Sequence, residues 1–324
     1  MDSKTNNLWP EDLNPLSAEQ QNTLHDKLLA DFKQQLVEEK INPGTEILSR
    51  FRDLYLPLSS WLSEKHTDHP IVIGLNGAQG SGKSTLTKIL ATLLEKGFDK
   101  RVVTLSIDDL YKTRLQRQKM AETIHPLFLT RGVPGTHDTE FGLQILKTLK
   151  STKGNNEVLL PRFNKATDDQ YDKQNWKCVH TPVDIILFEG WCVGAIAEEE
   201  KALSTAINQL EAEEDQQSIW RHYVNKQLAD PYQMLFSHID ILIMLEIPDM
   251  KHVYQWRVLQ EQKLGASIVD ANQHIMSNDQ IERFIMHYER ITCSTLKEMP
   301  SRADIVLKLN EAHQISKVKT RLTQ

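Results

Sequence analysis

The sequence predicts an α/β fold: a parallel sheet with helices on both faces. Three observations carry that reading. From Pro70 onward, short runs of β-branched and apolar residues alternate with stretches of helical period, the pattern of successive β–α–β units. Each run is apolar nearly throughout, as a strand covered on both faces must be. Between the first run and the helix after it stands a glycine-rich turn, Gly77-Ala-Gln-Gly-Ser-Gly-Lys83-Ser84, whose spacing is G-x-x-x-x-G-K-S.

Residues 1–69 read as a helical extension ahead of this sheet. Ser17 with Gln20 makes a capping-box start, and Leu24, Leu28, Phe32 and Leu36 recur at helical spacing. Ile47, Leu48, Phe51, Leu54 and Leu58 form a second amphipathic stretch, kinked or ended near Pro57. The polar tract 63–70 breaks the pattern and opens the main domain, 70–324. Its predicted strands are 71–75, 102–107, 183–188, 239–245 and 305–309. After the first strand, Leu86, Ile89, Leu90, Leu93 and Leu94 make one helical stripe, and Gly97 sits where a C-terminal stop belongs. A further helix starts at Ser277, with Gln280 as its capping partner, and turns Ile281, Phe284, Ile285 and Tyr288 inward. The acidic tract 198–217 reads as a solvated helix or loop.

Composition narrows the function. Lys and Arg total 38 against 44 Asp and Glu, a net charge of −6 over 324 residues, so no nucleic-acid or anionic-membrane partner is expected. Hydrophobic residues at 40% and charged residues at 25% describe a soluble globular enzyme. The first twenty residues hold no apolar signal core, and a cytoplasmic protein without a membrane span is expected. Cys178, Cys192 and Cys293 lie far apart, which points to reduced thiols and against disulfide or zinc scaffolds. His66-Thr67-Asp68-His69 lies in a linker with no cysteine nearby, so no metal site is expected there. Nothing indicates an oligomeric state.

The chemistry starts at the glycine turn. Glycines let successive backbone N–H groups turn inward around a phosphate, and the helix that follows adds its positive end. Gly77, Ala78, Gln79, Gly80, Ser81, Gly82, Lys83, Ser84 and Thr85 are therefore the expected nucleotide site, with Lys83 reaching the β- and γ-phosphates and the Ser84 hydroxyl ligating Mg2+. Switch GTPases, motor ATPases and small-molecule kinases all share such a loop. A GTPase also needs N-K-x-D, and Asn164-Lys165-Ala166-Thr167 lacks the acid.

The second strand ends in Asp108-Asp109-Leu110-Tyr111, and is expected beside the first, at the crevice where doubly wound sheets bind ligands. A carboxylate there can accept the proton of an attacking hydroxyl or hold a water on Mg2+. Glu189, after an apolar strand, suits the magnesium shell. Arg131, His137 and Asp138 lie in one turn-rich stretch, and Arg162 and Lys165 in another; their cations suit an anionic acceptor. Arg257 stands one turn before Glu261, either a plain helix-surface ion pair or a lid arginine that closes over the phosphates.

Together NGAQGSGKST (76–85), SIDDLY (106–111), RGVPGTHD (131–138), LPRFNK (160–165), FEGW (188–191), VYQWRVLQE (253–261) and MSNDQIERFIMHYE (276–289) resemble the P-loop small-molecule kinases of the phosphoribulokinase, uridine kinase and pantothenate kinase group. They resemble in particular the plant-type glycerate kinase branch with its bacterial and fungal relatives. The resemblance implies a P-loop NTPase-type sheet, acceptor-binding insertions at about 111–182, a lid helix at about 249–275, and ATP with Mg2+ as cofactors. It places Asp108 at the base position, Asp138 and Arg162 on the acceptor side, and Arg257 on the lid. Asp109, Tyr111, Arg131, His137 and Lys165 complete the expected acceptor site, where Arg131 or Arg162 receives a carboxylate. The expected activity is phosphorylation of a small hydroxy acid, D-glycerate foremost. A nucleoside, pentose or pantothenate kinase is the alternative within the group, and a nucleotide-dependent interaction protein the alternative outside it. Where the branch shows Tyr-Asp, this chain has Phe163-Asn164, losing a hydroxyl and a carboxylate beside the acceptor.

Overall fold

Six strands form the central sheet in the computed structural model, which describes residues 7–41, 44–152, 154–266 and 276–321. They are β1 (Ile71–Gly77), β2 (Val102–Ser106), β3 (Ile185–Gly190), β4 (Ile241–Glu246), β5 (Ile305–Leu309) and β6 (Ile315–Thr320). Across the sheet the order is β6-β5-β4-β1-β3-β2, with every pairing parallel except that of β6 against β5. The expected α/β architecture is thus present. One expectation is corrected: β2 is not the neighbour of β1, because β3 lies between them and pairs with both.

Alternate residues along each strand feed two apolar cores, which is why the strands lack polar faces. Ile73, Leu75, Leu187, Ile243 and Leu307 point to one side; Val72, Val103, Leu105, Ile186 and Phe188 point to the other. The first side is covered by α1 (Ala18–Glu38), α2 (Leu56–Lys65) and α3 (Lys83–Phe98), whose buried residues join the same core. The other is covered by α4 (Thr139–Leu149), a short helix at Pro231–Phe236 and the later α6 (Asn278–Glu298). Helix α5 (Met250–Ala266) lies between β4 and α6 in the chain. Residues 267–275 of the expected lid lie outside the described residues.

Several local expectations shift for physical reasons. The chain does not stop at Pro57: a π-helical turn, Phe51–Tyr55, precedes α2 and leaves the proline in the first turn, where no amide partner is required. Helix α3 passes Gly97 and ends at Asp99, which holds φ +53. The glycine serves a helix crossing instead, since a Cβ there would lie 2.9 Å from Leu28 Cδ1 of α1. Strand β3 begins two residues later than expected because the Asp184 carboxylate takes the Arg101 N–H at 2.7 Å, and it runs on to include Glu189. Strand β4 likewise starts at Ile241, since the Asp240 carboxylate accepts the Val72 N–H at 2.8 Å. The acidic tract is only partly solvated: Glu211 is fully buried and bound by Arg290 Nη2 at 2.6 Å.

Between α4 and β3 the chain makes an arm of two antiparallel strands, Glu157–Leu160 and Lys177–His180. The excursion joining them carries a smaller pair, Phe163–Asn164 with Asp169–Gln170. Among the described residues no helix is long and apolar enough to cross a membrane.

Candidate active site

Strand β1 delivers the chain at Gly77 and α3 takes it up at Lys83. In the turn between, Gly80 and Gly82 hold φ +77 and +89, conformations that a side chain would strain. A Cβ on Gly77 would fall 2.5 Å from Ser81 Oγ, so this glycine is required by close packing. Ser81 Oγ and Gln79 Oε1 are buried without a hydrogen-bond partner among the described residues. The Ser81 hydroxyl can donate to a phosphate, and the N–H groups of the helix start that follows suit an anion. Trp256 of α5 backs the turn, 3.0 Å from the position of a Gly80 Cβ, and stacks on His313 at 4.2 Å. Sequence reasoning quoted Trp256 within VYQWRVLQE without a role at the loop and passed over His313; both lie far from the loop in the chain.

Ser84 Oγ donates to Glu189 Oε1 at 3.1 Å. Glu189 is buried in β3, and its Oε2 has no partner among the described residues. A hydroxyl beside an orphaned carboxylate oxygen is a hard-oxygen donor set, and it fits Mg2+.

The acceptor side is built on the 3-10 turn Ile107–Leu110, capped by Ser106 at the end of β2. Asp108 Oδ1 accepts from the Tyr111 hydroxyl at 2.9 Å and Oδ2 from Lys165 Nζ at 2.7 Å. Burial alone would raise the pKa of this carboxyl, but Lys165 and Lys83 outweigh it and hold the group well below the usual carboxylate range. Asp109 turns away: its Oδ1 accepts the Phe163 N–H at 3.0 Å, and burial, with the neighbouring Asp108 charge, raises its pKa. The adjacent acids are therefore distinguished by geometry, one facing the cations and the other anchoring the excursion.

Tyr111 is buried, stacked on His137 at 4.5 Å and edge-on to Phe163 at 5.1 Å. Burial pushes the His137 pKa down to about 3, leaving a neutral imidazole. Its Nδ1 meets the Tyr232 hydroxyl, which also accepts the Gly135 N–H at 3.0 Å. Arg131 pairs with Asp168 and lies 5.5 Å from the Phe163 ring centre. Behind it is a residue that sequence reasoning missed: fully buried Arg117, bonded to Asp168 Oδ2 at 2.9 Å and to the carbonyls of Asp168 and Leu129 at 2.6 Å each.

Three expected site residues stand apart from this cluster. The Asp138 carboxylate caps α4 by accepting the Phe141 N–H at 3.0 Å. Arg162 is exposed, its guanidinium 5.1 Å from the Tyr171 ring centre. Arg257 pairs with Glu261 and packs over Phe284, although its backbone borders Gly80.

Residues 51–226 match the KAP family P-loop domain. The Schizosaccharomyces pombe protein named "Uncharacterized kinase mug58" is 34% identical over 232 residues, spanning 69% of this chain and 80% of that one. Chloroplastic D-glycerate 3-kinase of Arabidopsis thaliana is 28% identical over 274 residues, spanning 79% of this chain and 58% of the relative. Among solved structures, D-glycerate 3-kinase from Cryptococcus neoformans superposes with a TM-score of 0.65 over 94% of this chain and 100% of its own, at 23% identity, a likeness of fold.

Proposed function

This chain belongs to the KAP family of P-loop domains and to the small-molecule P-loop kinases of the phosphoribulokinase, uridine kinase and pantothenate kinase group, and from that premise we propose that it transfers the γ-phosphoryl group of ATP to a hydroxyl of D-glycerate. The observation that carries the acceptor class is the Asp108 cluster. One carboxylate is held ionised by Lys165, with a second cation, Arg131, beside the Phe163 wall. Such a pocket favours a small acid that brings its own negative charge. A nucleoside base needs a slot between ring faces of roughly 7 Å, twice a van der Waals contact. Tyr111 meets Phe163 edge-on at 5.1 Å and covers one face with His137, so these rings form no such slot between them. The name of the Arabidopsis relative supports the same choice.

The chain's own groups divide the work. Lys83 and the N–H groups at the start of α3 hold the phosphates, while Ser84 and Glu189 would hold the metal. A Mg2+ held there would supply positive charge to offset that of the phosphates. Asp108 orients the acceptor hydroxyl and takes its proton. A weakly basic carboxylate is adequate because the hydroxyl of a loose transition state loses its proton late. Lys165 is 62% exposed and so free to swing. On acceptor binding it exchanges Asp108 for the acid's carboxylate, and burial, no longer fully opposed, makes Asp108 a better base. Asn164 Oδ1 accepts the Ala166 N–H at 3.0 Å, which shapes the turn that carries Lys165.

An ADP-release assay with D-glycerate, uridine, ribulose 5-phosphate and pantothenate tests the proposal. Turnover is expected with D-glycerate. Release driven by uridine or ribulose 5-phosphate, with D-glycerate at background, overturns the acceptor assignment.

A further inference from the structure

We propose that the antiparallel arm outside the active site binds a divalent cation of borderline softness, Zn2+ being the type, through Glu157, Cys178 and His180. The register of the arm pairs Glu157 with His180 and Leu159 with Cys178. Val158, Leu160 and Val179 are buried in the core shared with α4. Since successive side chains on a strand alternate, burying that set turns Glu157, Cys178 and His180 to the opposite face together, and all three are exposed there. Their ligand atoms, a carboxylate oxygen, a thiol sulfur and an imidazole nitrogen, all lie within 4.8 Å of one another. Among the described residues no other group of three His, Cys, Asp or Glu side chains comes so close.

Tetrahedral ligands at zinc distances stand about 3.5 Å apart. Each of the three side chains would have to move by only an ångström or so, and none is tied by a hydrogen bond or ion pair among the described residues. A mixed sulfur, nitrogen and oxygen set selects against Mg2+ and Ca2+, which take oxygen alone. Three protein ligands leave a fourth position for water. Binding breaks the Cys178 S–H bond, forms a sulfur–metal bond and releases the proton to solvent.

The position gives the cation a structural reach. The excursion 161–176, with Phe163, Lys165 and Asp168, leaves the arm after Leu160 and returns at Lys177. A cation that joins Glu157 to Cys178 and His180 would therefore clamp the base of the segment carrying the acceptor-side lysine.

Cobalt titration of the full chain, with ATP and Mg2+ in excess to occupy the nucleotide site, tests this directly. One equivalent should produce a sulfur-to-cobalt charge-transfer band, which Zn2+ then abolishes. Cys178→Ser should remove the band, and His180→Gln should weaken binding by more than the roughly 10–100-fold that loss of an outer-shell partner causes. Cys293→Ser should leave it intact. Zn2+ should also slow alkylation of Cys178 and not of Cys293 in the unmodified protein, a readout that needs no variant to fold. Absence of the band, its survival in Cys178→Ser, or equal alkylation with and without Zn2+ overturns the proposal.

Discussion

Replacing Asp108 by asparagine removes a charge while keeping the shape of the acceptor edge. The amide oxygen can still accept from Tyr111 or Lys165, which approach the carboxylate at 2.9 and 2.7 Å. What is lost is the proton acceptor and the negative charge. A positioned general base contributes about 10²–10⁴-fold, or about 3–5 kcal/mol of barrier, so kcat should fall by at least about 10². Stability should change much less. The folded-state pKa of Asp108 lies below its unfolded value, so its contribution is present above about pH 4 and is lost as pH falls through the folded pKa. Lys165 is 62% exposed, which limits the pair to about 1 kcal/mol or less at neutral pH. Asp109→Asn is the matched control, because an asparagine oxygen can keep the Phe163 N–H bond of 3.0 Å and relieves a buried charge. Steady-state ADP release at saturating substrates, with thermal melts of both variants, separates the roles. Near-wild-type kcat in Asp108→Asn, or the larger kcat loss in Asp109→Asn, would refute the assignment.

Lys83→Ala should lower kcat by about 10² or more with an unchanged circular dichroism spectrum, and full turnover would remove Lys83 from phosphate handling. Lys165→Met takes away a cation that holds Asp108 ionised, so the acid limb of kcat/KM should move to higher pH. The KM for the acid acceptor should rise by about 10–100-fold, the worth of a hydrogen bond to a charged group; an unmoved acid limb counts against the exchange of partners. Arg117→Met leaves the Asp168 carboxylate and the carbonyls of Lys112, Leu129 and Asp168 without their buried donor. It should cost about 3–5 kcal/mol in a denaturant titration and raise the acceptor KM, and a loss below about 1 kcal/mol would show that Arg131 and Asp168 need no such support.

The phosphate cradle could be read from the chain because all its parts are contiguous: an apolar strand, glycines at fixed offsets, a lysine and a helical stripe. Strand ends also marked Asp108 and Glu189 as acids at the ligand-binding edge. Which strand lies beside which is set by crossover connections, not by local pattern, so the insertion of β3 between β1 and β2 had no signal in either strand. The same holds for side-chain partners. Lys165 is 57 residues from Asp108, Asp168 is 51 from Arg117, and Tyr232 is 95 from His137. Local rules picked out Pro57 and Gly97 as special, yet each meets a tertiary need: a π turn accommodates the first, and the second admits Leu28 of α1.

The strand order itself explains why the two acids take different partners. Neighbouring strands lie about 4.8 Å apart. Glu189 on β3 is one spacing from the strand that leads into Ser84, close enough for a 3.1 Å hydrogen bond. Asp108 follows β2, two spacings or roughly 10 Å from β1. In the proposed reaction a phosphoryl group in transit and the hydroxyl attacking it would sit between Lys83 and Asp108. A single strand spacing would leave no room for both, and two spacings leave about the length they need. Lys165, Arg131 and the aromatic wall then come from the excursion and the 131–138 stretch, which close this gap from the acceptor side. Under the proposed function the sheet would supply distance and the insertions selectivity, so a change of acceptor would fall on the insertions and leave the phosphate chemistry at β1 and β3 in place.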